Sequence, residues 1–133
     1  MDIFSLFQKN QKSLGQKGED IACKYLKNKG YKIIERNFKN KFGRQIGEID
    51  IIAKNGEEIV FVEVKTREME RYGQTLPEEN INRDKLHKLN KISTAYIKKN
   101  NLWDKAYHFD AISVWLDKSG KNAKVRHLEN IFI

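Results

Sequence analysis

The chain is poor in the residues that build covalent or soft-metal frameworks. It has one cysteine, Cys23, so no disulfide can close within it, and a lone thiol points to a reducing compartment. Its three histidines, His87, His108 and His127, lie far apart without the short spacings of a zinc set, and each reads as a surface or packing residue. There is one proline, Pro77. No apolar run approaches the length of a membrane span, and the first dozen residues, MDIFSLFQKNQK, lack the basic start and apolar centre of a signal peptide. The expectation is a cytoplasmic protein without membrane contact. Acids are in the minority, 18 against 26 lysines and arginines, which gives a net charge of +8 and an isoelectric point near 9.5. That surplus favours a polyanionic partner such as nucleic acid, although no dense basic block marks where it would bind, and basicity also serves solubility.

What is present suits one globular domain. The 133 residues are 39% hydrophobic and 33% charged, enough for a single core and too few for two. The domain is expected to span residues 1–133, with 1–12 as an N-terminal extension whose Ile3, Phe4, Leu6 and Phe7 form an amphipathic turn for docking on the body or on a second subunit.

Periodicity then changes several times along the chain. Leu14 to Lys29 reads as a helix stopped by Gly30, with Leu14, Ile21, Ala22, Tyr25 and Leu26 at helical spacing. Glu19 falls beside Cys23 and Leu26 on the edge of that apolar stripe, as a first-turn carboxylate favoured by the helix N-terminus or as an inward-facing functional acid. Tyr31 to Phe38 is a strand, followed by the basic turn Lys39 to Arg44. Thr66 to Glu79, which holds Gly73 and Pro77, reads as a mobile loop. A second helix over Asn80 to Asn100 carries the stripe Leu86, Leu89, Ile92, Tyr96 and Ile97. Lys85 lies within that stripe, either snorkelling or contacting substrate, while Lys88 points outward. Tyr107 to Leu116 and Val125 to Ile133 are further strands. The order specifies an α/β fold, a mixed sheet flanked by two helices.

Between these elements, residues 46–65, IGEIDIIAKNGEEIVFVEVK, are two apolar runs joined by Asn55-Gly56, a strong hairpin signal. With Asn55-Gly56 as the turn, Lys54 pairs with Glu57, Asp50 with Phe61 and Glu48 with Glu63. Alternation then puts Glu48, Asp50, Glu63 and Lys65 on one face. Three acids meet one lysine in an apolar sheet. An ion pair of Lys65 with Glu63 or Glu48 neutralises only one carboxylate, whereas a divalent cation resolves the repulsion. Carboxylates without cysteine or histidine prefer hard ions, Mg2+ or Mn2+. On this reading Asp50 and Glu63 bind the ion and Lys65 orients water or stabilises charge on a phosphoryl oxygen. Glu19 joins from the helix, and Glu48 is an auxiliary acid. Arg67, Arg71, Lys85 and Lys88 are the candidate phosphate contacts, with surface solubility as the plain alternative for the arginines.

The segments Gly18-Glu19-Asp20-Ile21-Ala22, Tyr25-Leu26, Gly30-Tyr31, Asn37, Gly47-Glu48-Ile49-Asp50, Phe61-Val62-Glu63-Val64-Lys65 and Tyr107-His108-Phe109-Asp110 closely resemble the small bacterial YraN-like family over Leu14 to Trp115. That family resembles a branch of the PD-(D/E)XK nuclease superfamily, near restriction endonucleases and Holliday-junction resolvases. The resemblance implies a restriction endonuclease-like αβββαβ core and a Mg2+-dependent phosphodiesterase site. Asp50, Glu63 and Lys65 match the motif, and Glu19 the first-helix glutamate of resolvase-like members. The resemblance further implies that the Val64 carbonyl ligates the metal and that Lys85 matches a family lysine, while His108 stands where an arginine is frequent. Two functions follow: a nuclease acting on DNA, including branched or damaged DNA and pairing as a homodimer to cut both strands, or a noncatalytic nucleic-acid-binding module that keeps the fold as a scaffold.

Overall fold

Residues 12–39, 47–69 and 83–131 are described by the computed structural model. The proposed N-terminal docking turn, most of the basic turn after β1, and Arg71 lie outside the described residues. So does the side chain of Lys85.

Helix α1 covers Leu14–Asn28, as its periodicity predicts. Ser13 starts it: its hydroxyl accepts from Gln16 N at 3.2 Å and its own N–H donates to the Gln16 side chain at 2.9 Å, a reciprocal capping box. Gly30, at φ 94°, ends it. Tyr31 N donates to Leu26 O at 2.9 Å and Gly30 N to Lys27 O at 3.0 Å, the paired bonds that use a left-handed residue just past a helix.

Strands β1 (Lys32–Lys39), β2 (Glu48–Asn55) and β3 (Glu58–Glu68), helix α2 (Arg83–Lys99), and strands β4 (Tyr107–Leu116) and β5 (Ala123–Ile131) complete the order. The sheet runs β1-β2-β3-β4-β5, antiparallel except for the parallel pair β3–β4, which α2 connects. A five-stranded mixed sheet with two flanking helices is consistent with the restriction endonuclease-like core.

Each helix covers its own apolar cluster. Ala22, Cys23 and Leu26 of α1 pack with Ile51, Ala53, Val60, Val62, Ile112 and Val114. Leu89, Ile92, Tyr96 and Ile97 of α2 pack with Phe38, Ile49, Ile52, Ile59, Phe61 and Phe109. Phe61 centres the second cluster, edge-on to Tyr96 at 5.9 Å between ring centroids and tilted against Phe109 at 5.4 Å. Against the first cluster, α1 approaches β3 closely at Gly18. A Cβ added there would lie 2.7 Å from Thr66 Cγ2 and 2.8 Å from Thr66 Cβ, so glycine sets the depth at which the helix rests.

Two expectations are corrected. The hairpin register is displaced by two residues: Asn55 pairs with Glu58, Lys54 with Ile59 and Ile52 with Phe61. The turn is therefore Gly56-Glu57, with Gly56 at φ 63° and Glu57 absent from the positive-φ residues, the pattern of a glycine-first hairpin turn. Thr66, Arg67 and Glu68, expected in a loop, extend β3, because β4 continues alongside to Val114, Trp115 and Leu116.

Candidate metal centre

Strand alternation breaks at Asp50. Ile49 joins the cluster under α2 while Ile51, which regular alternation would place on the same side, joins the cluster under α1. On the neighbouring strand Asn37 sits at φ 55°, between Arg36, which reaches α1, and Phe38, which packs under α2. Both strands change faces at this point. The ladder of β2 and β3 ends at Ile51–Val62, and its register carried one step further aligns Asp50 with Glu63. The next N–H on β3, that of Val64, donates to Asp50 Oδ2 at 2.8 Å, so a side chain takes a place that a backbone carbonyl holds in a regular ladder.

This break collects the acids from three elements. Glu19 of α1, Glu48 and Asp50 each offer a carboxylate oxygen within 4.8 Å of the others. Asp50 is 8% exposed, and its carboxyl is pushed up to about 8. Burial is the largest cause. The Glu63 charge is next, the Val64 N–H acts in the opposite direction, and Glu19 and Glu48 add further repulsion. Asp50 thus feels Glu19 from the helix side and Glu63 from β3.

Glu19 is not a first-turn carboxylate. The helix begins at Leu14, which leaves Glu19 in the second turn, turned inward. Asn37 Nδ2 donates to both of its oxygens, at 3.3 and 3.2 Å, and reaches Glu48 Oε1 at 3.5 Å. Arg36 links Glu19 at 3.4 Å and Asp20 at 2.9 Å, and it holds the Asp20 carboxyl below its usual range together with Lys12, the larger influence. A cavity of about 360 Å³ lies beside these groups, lined by Lys12, Gln16, Glu19, Asp20, Arg36 and Asn37.

The donor chemistry fits a hard divalent ion. Every group in the set is a carboxylate, one of them is buried, and burying such charge unpaired costs several kcal/mol. Lys65 lies on β3 opposite Ser113 and shares its strand parity with Glu63, and Arg67 lies opposite Trp115; both are half-buried. Lys88 is exposed on α2. The residues that sequence reasoning passed over are Arg36 and Asn37. Asn37 was visible as one letter of a motif, but its role depends on a left-handed backbone that no periodicity signals.

No helix among the described residues is long and apolar enough to cross a membrane. Comparison with known proteins gives a consistent relationship. The profile of a family described as "Uncharacterised protein family UPF0102" matches residues 18–114, a span that holds every acid discussed above. A UPF0102 protein of Caldanaerobacter subterraneus subsp. tengcongensis is 45% identical over 124 residues, covering 92% of this chain and 97% of the relative. UPF0102 proteins of Alkaliphilus metalliredigens and Dictyoglomus turgidum are 41% and 37% identical, each over more than nine-tenths of both chains.

Proposed function

We propose that this chain, which belongs to the uncharacterised protein family UPF0102, is a metal-dependent endonuclease that hydrolyses phosphodiester bonds of DNA. The observation that carries the reading is the convergence of Glu19, Glu48 and Asp50 at the point where β2 changes faces, with the Asp50 carboxyl pushed up to about 8. Perturbation of this kind in a cleft of like charges marks functional sites more often than structural ones.

Asp50 and Glu63 would hold Mg2+ or Mn2+, with Glu19 and Glu48 in supporting positions and the Val64 carbonyl as a further ligand. Such an ion supplies Lewis acidity toward a phosphoryl oxygen and a more acidic bound water. The protein's own groups do the rest. Val64 N–H fixes the Asp50 carboxylate, and Asn37 fixes Glu19. The Lys65 ammonium stabilises negative charge as it grows on the phosphoryl oxygens. The net charge of +8, with Arg67 and Lys88 among its sources, attracts the DNA backbone and makes binding salt-dependent.

Supercoiled, linear, single-stranded and four-way-junction DNA, each incubated with Mg2+, Mn2+ or chelator, test the reading. Cleavage that requires a metal and falls by at least about a hundredfold in Asp50→Asn and Lys65→Ala is expected, in line with the loss of one electrostatic group. Cleavage unchanged in both variants would remove the mechanism. Salt-dependent binding without cleavage in any metal would leave only the scaffold function.

A further inference from the structure

At the other end of α1 from Glu19, the fold brings together groups that the sequence separates widely. Asp110, on β4, is fully buried. Its Oδ2 lies 2.7 Å from His127 Nε2, its Oδ1 lies 3.3 Å from His108 Nε2, and Asn130 N donates to Oδ1 at 2.8 Å. His108 Nδ1 is 3.1 Å from Glu58 Oε2, and His127 Nδ1 is 4.0 Å from Glu129 Oε1. Asp110, His127 and Glu129 each present a donor atom within 4.8 Å of the other two. A cavity of about 380 Å³ opens beside them, lined in part by Glu58, His108 and Glu129.

Two imidazoles turn the same nitrogen, Nε2, to the two oxygens of Asp110, and the other nitrogen of His127, Nδ1, lies 3.3 Å from the Tyr25 hydroxyl. With carboxylates facing both of its nitrogens, His108 can donate to both only when doubly protonated. An ion held by bonds of about 2.0–2.1 Å in tetrahedral geometry sets neighbouring donors about 3.3 Å apart. His127 Nε2, 2.7 Å from Asp110 Oδ2, is close to that spacing, and His108 Nε2 lies 3.3 Å from the other oxygen, Oδ1. Three carboxylates, Glu58, Asp110 and Glu129, surround the two rings. Lys29 Nζ, 3.5 Å from both Glu129 Oε1 and His127 Nδ1, already brings a cation to the rim on a side chain that is 41% exposed.

We propose that Asp110, His127 and Glu129, with His108 against the second Asp110 oxygen, form a second metal site, for a divalent ion of the zinc class. Mixed nitrogen and oxygen donors select such an ion over Mg2+, unlike the all-carboxylate set around Asp50. An ion there takes the place of a proton at Nε2 and links β5 to β4.

Equilibrium dialysis of the full chain against Zn2+ in excess Mg2+ tests the site. One zinc per chain is expected for the wild type and for Asp50→Asn, with affinity at least about tenfold weaker in His108→Ala and Glu129→Gln. Because His127 is buried, its truncation risks unfolding, and imidazole 15N NMR of the wild type supplies an independent reading. Zinc should shift Nε2 of His108 and His127 and leave His87 unmoved. No bound zinc, retention unchanged in both variants, retention lost in Asp50→Asn, or imidazole signals insensitive to zinc would each overturn the proposal.

Discussion

Asn37 holds Glu19 with a single amide, 3.3 and 3.2 Å from its two carboxylate oxygens, while its own backbone lies at φ 55°. One residue therefore does two jobs that substitution can separate. Glycine keeps the left-handed backbone and loses the amide, whereas alanine loses the amide and adds about 1–2 kcal/mol of strain. Mn2+ affinity, read by calorimetry, is expected to fall alike in Asn37→Gly and Asn37→Ala, and thermal stability to fall further in the alanine variant. Affinity that follows stability instead of the amide would show that Asn37 acts on the strand and not on Glu19.

The Asp50 carboxyl, raised to about 8, fixes the sign of a pH dependence. An unfolded aspartate loses its proton near about 3.9. Between those values the folded chain binds more protons than the unfolded one, so stability without metal decreases as pH rises, by up to about 1.4 kcal/mol per unit. Thermal melts in chelator should therefore fall from about pH 5 to about pH 8, Asp50→Asn should flatten this component and melt higher than wild type at the alkaline end, and saturating Mn2+ should restore stability there. If Asp50→Asn melts fall as steeply as wild type, Asp50 is not the titrating group.

Gly18→Ala places a methyl group against Thr66. Pushing α1 outward is expected to cost about 1–3 kcal/mol, the usual penalty for overpacking, and to shift the neighbouring Glu19 away from Asp50. Thr66→Ala in the same chain should recover part of the stability measured by urea titration. Independent, additive losses in the double variant would exclude the close contact as their cause.

Phe61 is 1% exposed and contacts the rings of Tyr96, Tyr107 and Phe109. Phe61→Ala should destabilise the fold by about 3–5 kcal/mol and Phe61→Leu by clearly less. A loss below about 1 kcal/mol for the alanine variant, again by urea titration, would contradict its place at the centre of the α2 cluster.

Much of the fold was legible in the chain because its signals are local. The helical spacing from Leu14 and the stop at Gly30 bound α1, and the apolar run of β4 is read with its observed limits, Tyr107–Leu116. Of the candidate site, the acids Glu19, Glu48 and Asp50 that the fold brings together were legible as residues, and their geometry less so. The two-residue error in register left strand parity intact, because side chains repeat every second residue, but it shifted every cross-strand partner by two, that of Lys54 from Glu57 to Ile59 among them. The change of face at Asp50 was not readable, since it depends on the backbone of Asn37 and on the Val64 N–H turning to a side chain. The approach of His108 and His127 to the two oxygens of Asp110 was hidden for a related reason: β4 and β5 pair across a register shift between Phe109 and Ala111, where sequence distance carries no hint of proximity.

The two outer strands also constrain how copies of this chain can associate. On β1, Lys32, Glu35, Arg36 and Lys39 stand along the rim, and on β5 Lys124, Arg126 and Glu129 do the same, while the left-handed residues Asn37 and Asn130 interrupt the extended backbone of each. A neighbouring chain seeking to extend the sheet would meet ammonium and carboxylate groups on an interrupted template, an arrangement by which natural proteins resist strand-by-strand polymerisation. Association of copies of this chain through the sheet edges is thereby disfavoured relative to association through other surfaces.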